Sequence, residues 1–154
     1  MKFINLLLVI FIALFTGCST LNQSVNFDQN LIENPKILRT SDNKILNYDE
    51  FIADINDSDI LLLGERHNHT LDQSAEHKII TSFPNSNIVF EMLSSATQNE
   101  INSAKSKKSQ IHPKMLETTL KWEWNAYKNY QKIVELAFYG DYKMIGGNIS
   151  KTEI

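Results

Sequence analysis

Cysteine is almost absent from this sequence: Cys18 is the only one in 154 residues. An internal disulfide and a thiolate-clustered metal site are therefore both excluded. No apolar run is long enough for a bilayer-spanning helix either; the longest, Leu6 to Phe15, falls well short of what a membrane crossing needs. Charge of one sign is missing as well, with 15 basic residues against 18 acidic ones and a net charge of −3. The lysines are scattered, and only Lys105, Lys107 and Lys108 are bunched, so no surface for nucleic acid is indicated.

What the first residues do contain is a targeting signal. Met1-Lys2 is a positive start, the apolar run follows, and Thr16-Gly17-Cys18 closes it. The segment resembles a bacterial lipoprotein signal, residues 1–17, cleaved before a lipidated Cys18. Phe15 departs from the Leu, Val or Ile more usual at that point. Acyl chains on Cys18 would anchor the mature chain to the envelope. Residues 18–35 are polar and Asn-rich and read as a tether, and Ser19 beside the cysteine favours the outer membrane, facing the periplasm, by analogy. What remains is long enough for one small domain.

Taken in order, Ile37–Thr40 and Lys44–Leu46 flank the turn-rich triplet Ser41-Asp42-Asn43 and read as a small hairpin. Tyr48 to Ile55 has apolar residues at helical spacing, with Asn47 placed to cap it and Glu50 in the capping-box position. Ile60-Leu61-Leu62-Leu63 is a continuous apolar run, the pattern of a strand buried on both faces. It stops at Gly64, expected to turn the chain, and Glu65, Arg66, His67 and His69 follow at once. A helix over Asp72–Phe83 comes next, capped by Thr70 or Asp72, and then a second apolar strand, Asn87–Glu91. Further helices are expected around Gln98, Ile101 and Ala104 and from Met115 to Phe138, the latter broken near Trp122–Asn125. In the second part of that helix Ala126, Tyr130, Ile133, Val134 and Ala137 form one stripe. Tyr142–Asn148 reads as a third strand. The fold class is α/β, a parallel sheet flanked by helices and preceded by a small hairpin. A strand–helix–strand crossover from Ile60 to Glu91 would make those two strands parallel, bringing Glu65 and Glu91 to one edge, with Asn148 at the same end of the third strand.

Ligands bind at the carboxyl ends of strands in open α/β sheets, which makes that edge the candidate site. The competing view pairs Glu65 with Arg66 locally and leaves His67 and His69 as solvated loop residues. Carboxylates and imidazoles there are compatible with a bound metal, with glutamate-assisted hydrolysis, or with polar recognition of a cofactor beside an apolar pocket. Spacing alone leaves all three open.

The ordered set of Ile60–His67, Gln73, Val89-Phe90-Glu91-Met92 with Gln98, and Tyr130 through Asn148 resembles the ChaN-like haem-binding lipoproteins. Gly-Glu-x-His by itself also resembles the erythromycin-esterase type of hydrolase. The family resemblance covers about residues 36–150. It implies an α/β domain over 36–154 that binds haem, serves iron acquisition, pairs as a homodimer with cofactor between subunits, and works with an outer-membrane haem receptor. Carried over by position, Glu65, His67, Glu91, Tyr130 and Asn148 are candidate cofactor-binding residues, and His69 in the same turn is a further candidate. Tyr130 is the first candidate for the haem-iron ligand, followed by Tyr127, His69 and His112; its place on the apolar stripe favours instead a core residue with a satisfied hydroxyl. The family pattern continues past this chain, so a truncated product is expected, one that is unstable alone or completed by a separately encoded second half.

Overall fold

The computed structural model describes residues 34–149; the signal segment, Cys18 and most of the tether lie outside the described residues. The chain opens with the antiparallel hairpin β1 (Ile37–Arg39) and β2 (Lys44–Leu46), in register from Ile37 opposite Leu46. Asn43 takes a positive φ in the connecting turn, and Arg39 closes it through Asp42 and reaches Asp54 at 2.7 Å. Helix α1 (Tyr48–Ile55) carries the expected capping box: Asn47 accepts from the Glu50 amide, and Glu50 accepts from the Asn47 amide, each at 2.9 Å.

Helix α2 (Thr70–Thr81) begins two residues earlier than its sequence pattern suggests, with His69 at the N-cap and no side-chain capping bond. Neither Thr70 nor Asp72 caps it; Asp72 turns outward to Arg66 instead. Strand β3 (Asn87–Ser94) runs three residues past Glu91, and β4 (Lys143–Asn148) pairs with it in parallel, Asn87 opposite Lys143. Between them lie α3 (Gln98–Ser106), the single-turn α4 (Leu116–Thr119) and α5 (Tyr127–Tyr139), with short 3₁₀ turns. The break in the long helix falls where the sequence places it, between α4 and α5. Lys121 and Ala126 bracket that break in left-handed conformations, each costing roughly 1–2 kcal/mol for a residue with a Cβ. Ala126 consequently leaves the apolar stripe and is exposed, while Tyr130, Ile133, Val134 and Ala137 keep it.

One face of the β3–β4 pair is covered. Phe90, Met92, Leu93 and Met144 meet Ile101, Leu116, Leu120 and the α5 stripe in one core. On the other face Val89 and Glu91 are exposed. Pairing slips between Phe90 and Ser94, and the side-chain amide of Gln98 bonds the β4 backbone on either side of Ile145. It donates to the Met144 carbonyl and accepts from the Gly146 amide, each at 3.0 Å, supplying the two bonds a strand residue would make. Lys105 and Lys108, two of the bunched lysines, are structural: their ammonium groups bond the carbonyls of Ala137, Phe138, Tyr139 and Gly140 at the end of α5. Cations belong at that end of a helix.

The expected first strand is a difference. Ile60–Glu65 runs without regular secondary structure and pairs with no described strand; Ile60 is 79% and Leu62 89% exposed. Its apolar composition encodes the surroundings such a strand needs, but a ladder also needs backbone hydrogen bonds to a neighbour, and among the described residues β3 pairs with β4 alone. The parallel crossover is thus β3 to β4, over the long connection through α3–α5. Among the described residues no helix is long and apolar enough to cross a membrane.

Gly146 has no room for a side chain, since a Cβ there would strike the Ser94 carbonyl. Gly146→Ala is expected to cost about 1–3 kcal/mol of stability through forced backbone movement. Urea unfolding of the two proteins, followed by circular dichroism, checks this; equal midpoints would refute it.

Candidate functional site

The polar cluster after Leu63 folds back through a turn at Arg66–His69, closed by the His69 amide on the Arg66 carbonyl at 3.1 Å. Asn68, φ 64°, makes the left-handed residue of this turn; no described glycine has a positive φ, so Gly64 does not have the role its sequence position suggests. Asparagine tolerates that conformation because its short polar side chain bonds locally.

The turn delivers Glu65 into the protein. Its side chain is only 7% exposed, and three donors converge on it. The Tyr130 hydroxyl donates to Oε1 at 2.5 Å, His67 Nδ1 lies 3.1 Å from the same oxygen, and the Gln73 amide donates to Oε2. A carboxylate only accepts, so His67 carries its proton on Nδ1. Burying an ionised carboxylate is costly unless it is hydrogen-bonded in this way. Tyr130 comes from α5 and Gln73 from α2, so the carboxylate ties the loop to both packed helices. Asn68 adds a backbone donor to the Tyr130 oxygen at 3.4 Å.

Arg66, His69 and Asp72 form a second, separate cluster. The Arg66 guanidinium reaches Asp72 at 3.1 Å, and His69 Nδ1 lies 2.9 Å from the same carboxylate. Hydrogen bonds from Arg66 hold the Asp72 carboxyl well below its usual range. Local pairing of Glu65 with Arg66 does not occur.

The other sequence candidates are dispersed. Glu91 is exposed on β3 with no side-chain hydrogen bond or ion pair among the described residues, and no shared edge with Glu65 is formed, since the Ile60 segment never joins the sheet. Asn148 sits at the end of β4 opposite Ser94, half-buried, without a side-chain hydrogen bond among the described residues. His112 accepts the Lys114 amide at 3.2 Å and serves a turn. Tyr130, 2% exposed, is a core residue with its hydroxyl bonded; burial and the Glu65 bond push its pKa up to about 12. Tyr127 is also buried, its hydroxyl unpartnered and its pKa raised by that burial. It lies edge-on to Trp122, whose Nε1 is unpartnered too. Among the described residues no three His, Cys, Asp or Glu side chains assemble into a metal-binding group.

Two contributors, Trp124 and Glu76, are not among the candidates drawn from the sequence. Trp124 packs edge-on against His67, ring centroids 4.7 Å apart, and its loop is pinned to β3 by the Glu123 amide on the Met92 carbonyl. Glu76 lies one turn beyond Gln73. Burial and the negative charges of Glu65 and Asp72 push its pKa up to about 7. The usable signal was there: Gln73, Glu76 and Ile80 share one face of α2, and polar residues on a core-facing stripe indicate a buried polar contact.

The architecture defines this chain as an α/β domain with a buried, histidine-bearing glutamate beside an exposed apolar segment. Residues 51–154 match the family model described as haem-binding uptake, Tiki superfamily, ChaN, and the chain belongs to that family. A solved structure showing cofacial heme binding to ChaN of Campylobacter jejuni is similar to it with a TM-score of 0.66 and 28% identity, over 77% of this chain and 50% of that one. The chain therefore spans half the length of that protein. No curated protein matches the sequence.

Removing the Tyr130 hydroxyl leaves Glu65 one donor short in a buried setting. Tyr130→Phe is expected to lower stability by about 1–3 kcal/mol, readable as a reduced urea midpoint; an unchanged midpoint refutes the pairing. The raised pKa of Glu76 means the folded chain holds a proton that the unfolded chain has already released. Stability should therefore fall as pH rises from the ordinary carboxyl range through about 7, and level off above. Glu76→Gln should flatten that decline in thermal melts recorded from pH 5 to about 8.

Proposed function

We propose that the chain is a haem-binding lipoprotein of the cell envelope that serves iron acquisition. The observation that carries this reading is the juxtaposition along one short stretch of an exposed apolar run, Ile60–Leu62, and an imidazole fixed by a buried carboxylate, with Trp124 against it. Haem is an amphiphile with broad apolar faces, a carboxylate edge and a metal centre; a site for it combines apolar lining with few, well-held polar groups. The ChaN family's haem-binding description and the haem-bound Campylobacter relative support the same cofactor.

The residues present fit the group in one respect and not in another. The apolar run and Trp124 offer the contact area, and the turn offers an exposed imidazole, that of His67. Tyr130 does not fit as the iron ligand, because its oxygen is buried, donates to Glu65 and accepts from Asn68. Bound haem iron would supply the ligand-binding and redox chemistry of the cofactor itself; the protein's share is binding, orientation and partial exclusion of water. The lipid anchor at Cys18, an outer-membrane position facing the periplasm, a second copy of the chain and an outer-membrane haem receptor complete the proposed setting.

Titrating the full chain with haemin tests the reading. A shifted Soret band that saturates at a fixed stoichiometry is expected, and a purely linear, unsaturable rise would exclude a specific site. For the anchor, Cys18→Ala should move the chain from the membrane to the soluble envelope fraction; unchanged membrane partition would refute lipidation at this residue.

A further inference from the structure

Helix α5 starts poorly. Ala126 at its N-cap is left-handed, φ 61°, and makes no side-chain capping bond; the first turn has no acidic residue and carries Lys128. A helix N-terminus is stabilised by a side-chain acceptor and by negative charge, and this one has neither. Lys121 before it is also left-handed, φ 54°. Composition does not demand a break here, since the sequence holds no glycine or proline between Pro113 and Gly140. A residue with a Cβ stays in the left-handed region only where its surroundings impose it.

The contacts that impose it are on either side of the break. The Trp122 amide donates to the Glu117 carbonyl at 3.0 Å and the Glu123 amide to the Met92 carbonyl at 3.3 Å, while Trp124 stands edge-on to His67. Against these contacts weigh the two left-handed residues and the buried, unpartnered Trp122 Nε1 and Tyr127 hydroxyl. A better start for α5 lies one turn earlier. With Ala126 right-handed, Glu123–Ala126 add a turn to the helix. Glu123 then brings negative charge to the N-terminus, and Ala126 is the residue type that favours a helix most. Trp124 would lie at the margin of the buried stripe that holds Tyr127, Tyr130 and Val134.

We propose that Glu123–Ala126 is a conformational switch. In one state it is the strained loop that seats Trp124 on His67; in the other it is the first turn of α5, and Trp124 has left the imidazole. The His67 turn is fixed through Glu65 to α2 and α5, so Trp124 is the partner that moves. Because His67 supplies one of the contacts that hold the loop, a ligand that takes the place of Trp124 on the imidazole lengthens α5.

NMR relaxation dispersion on the full chain reads the switch with no ligand present. Amides of residues 122–126 should exchange with a minor state whose Cα shifts are helical. Ala126→Gly removes the left-handed penalty and weakens the added turn, so it should lower the minor population roughly tenfold. Ala126→Val, at an exposed position, places a β-branched residue in the left-handed region and should raise it. His67→Ala should raise it too. Flat dispersion in the wild type, a minor state without helical shifts, or a population that ignores Ala126→Gly overturns the switch. A population that ignores His67→Ala overturns its coupling to the imidazole. Saturating haemin should move the wild-type shifts of 122–126 towards the helical set, and saturable binding that leaves them in place also overturns the coupling. Absence of saturable binding refutes the haem reading alone, since the ligand-free measurements decide the switch and its coupling.

Discussion

A single buried carboxylate, that of Glu65, sets the arrangement of everything near it. An ionised group this enclosed is tolerable only with its oxygens bonded, and the protein supplies donors from three places: α5, α2 and the turn itself. Each charge-assisted bond contributes on the order of 1.5–3 kcal/mol net. The consequence is geometric as much as energetic. A loop that carries few apolar contacts is held at a defined distance from two helices, and the exposed imidazole inherits that precision.

The helices in turn depend on the core beneath them. The α5 stripe packs onto Phe90, Met92 and Met144 of the parallel pair, and α5 is clamped at its far end by Lys105 and Lys108. At its near end the chain passes through two left-handed residues, Lys121 and Ala126, a strained reversal that places Trp124 against His67 and leaves Trp122 and Tyr127 with unpartnered buried polar atoms. Strain and unmet hydrogen bonds gather on the same side of the molecule as the carboxylate. Such costs persist where surrounding structure over-determines them, and they cluster at sites of function.

Much of the local structure was legible in the sequence because its cause is local. The Asn47 capping box, the Ser41–Asn43 hairpin turn, the interrupted long helix and the stripe from Tyr130 to Ala137 all follow from short-range stereochemistry and periodicity. The stripe also correctly signalled that Tyr130 is a core residue. Ile60–Leu63 was misread because four apolar residues report a preference for burial, whereas a strand exists only through a partner's hydrogen bonds. From that followed the second error, a shared sheet edge for Glu65 and Glu91. Besides His67, the partners Glu65 does have lie 8 and 65 residues away. Only the polar positions on the inner stripe of α2 hinted at them, since tertiary pairing of this kind leaves no period in the chain.

The site's position within the fold bears on what it can hold. The helices cover one face of β3 and β4; Val89 and Glu91 look out from the other, and the apolar run Ile60–Leu62 lies uncovered. Glu65 stands at the point where the chain passes from that uncovered run into the packed helices. An isolated polar group on a polar surface would select small ions, and an apolar groove alone would select hydrocarbon. Joined end to end by two residues of backbone, Leu63 and Gly64, the two favour a ligand that is itself apolar in body and polar at a centre.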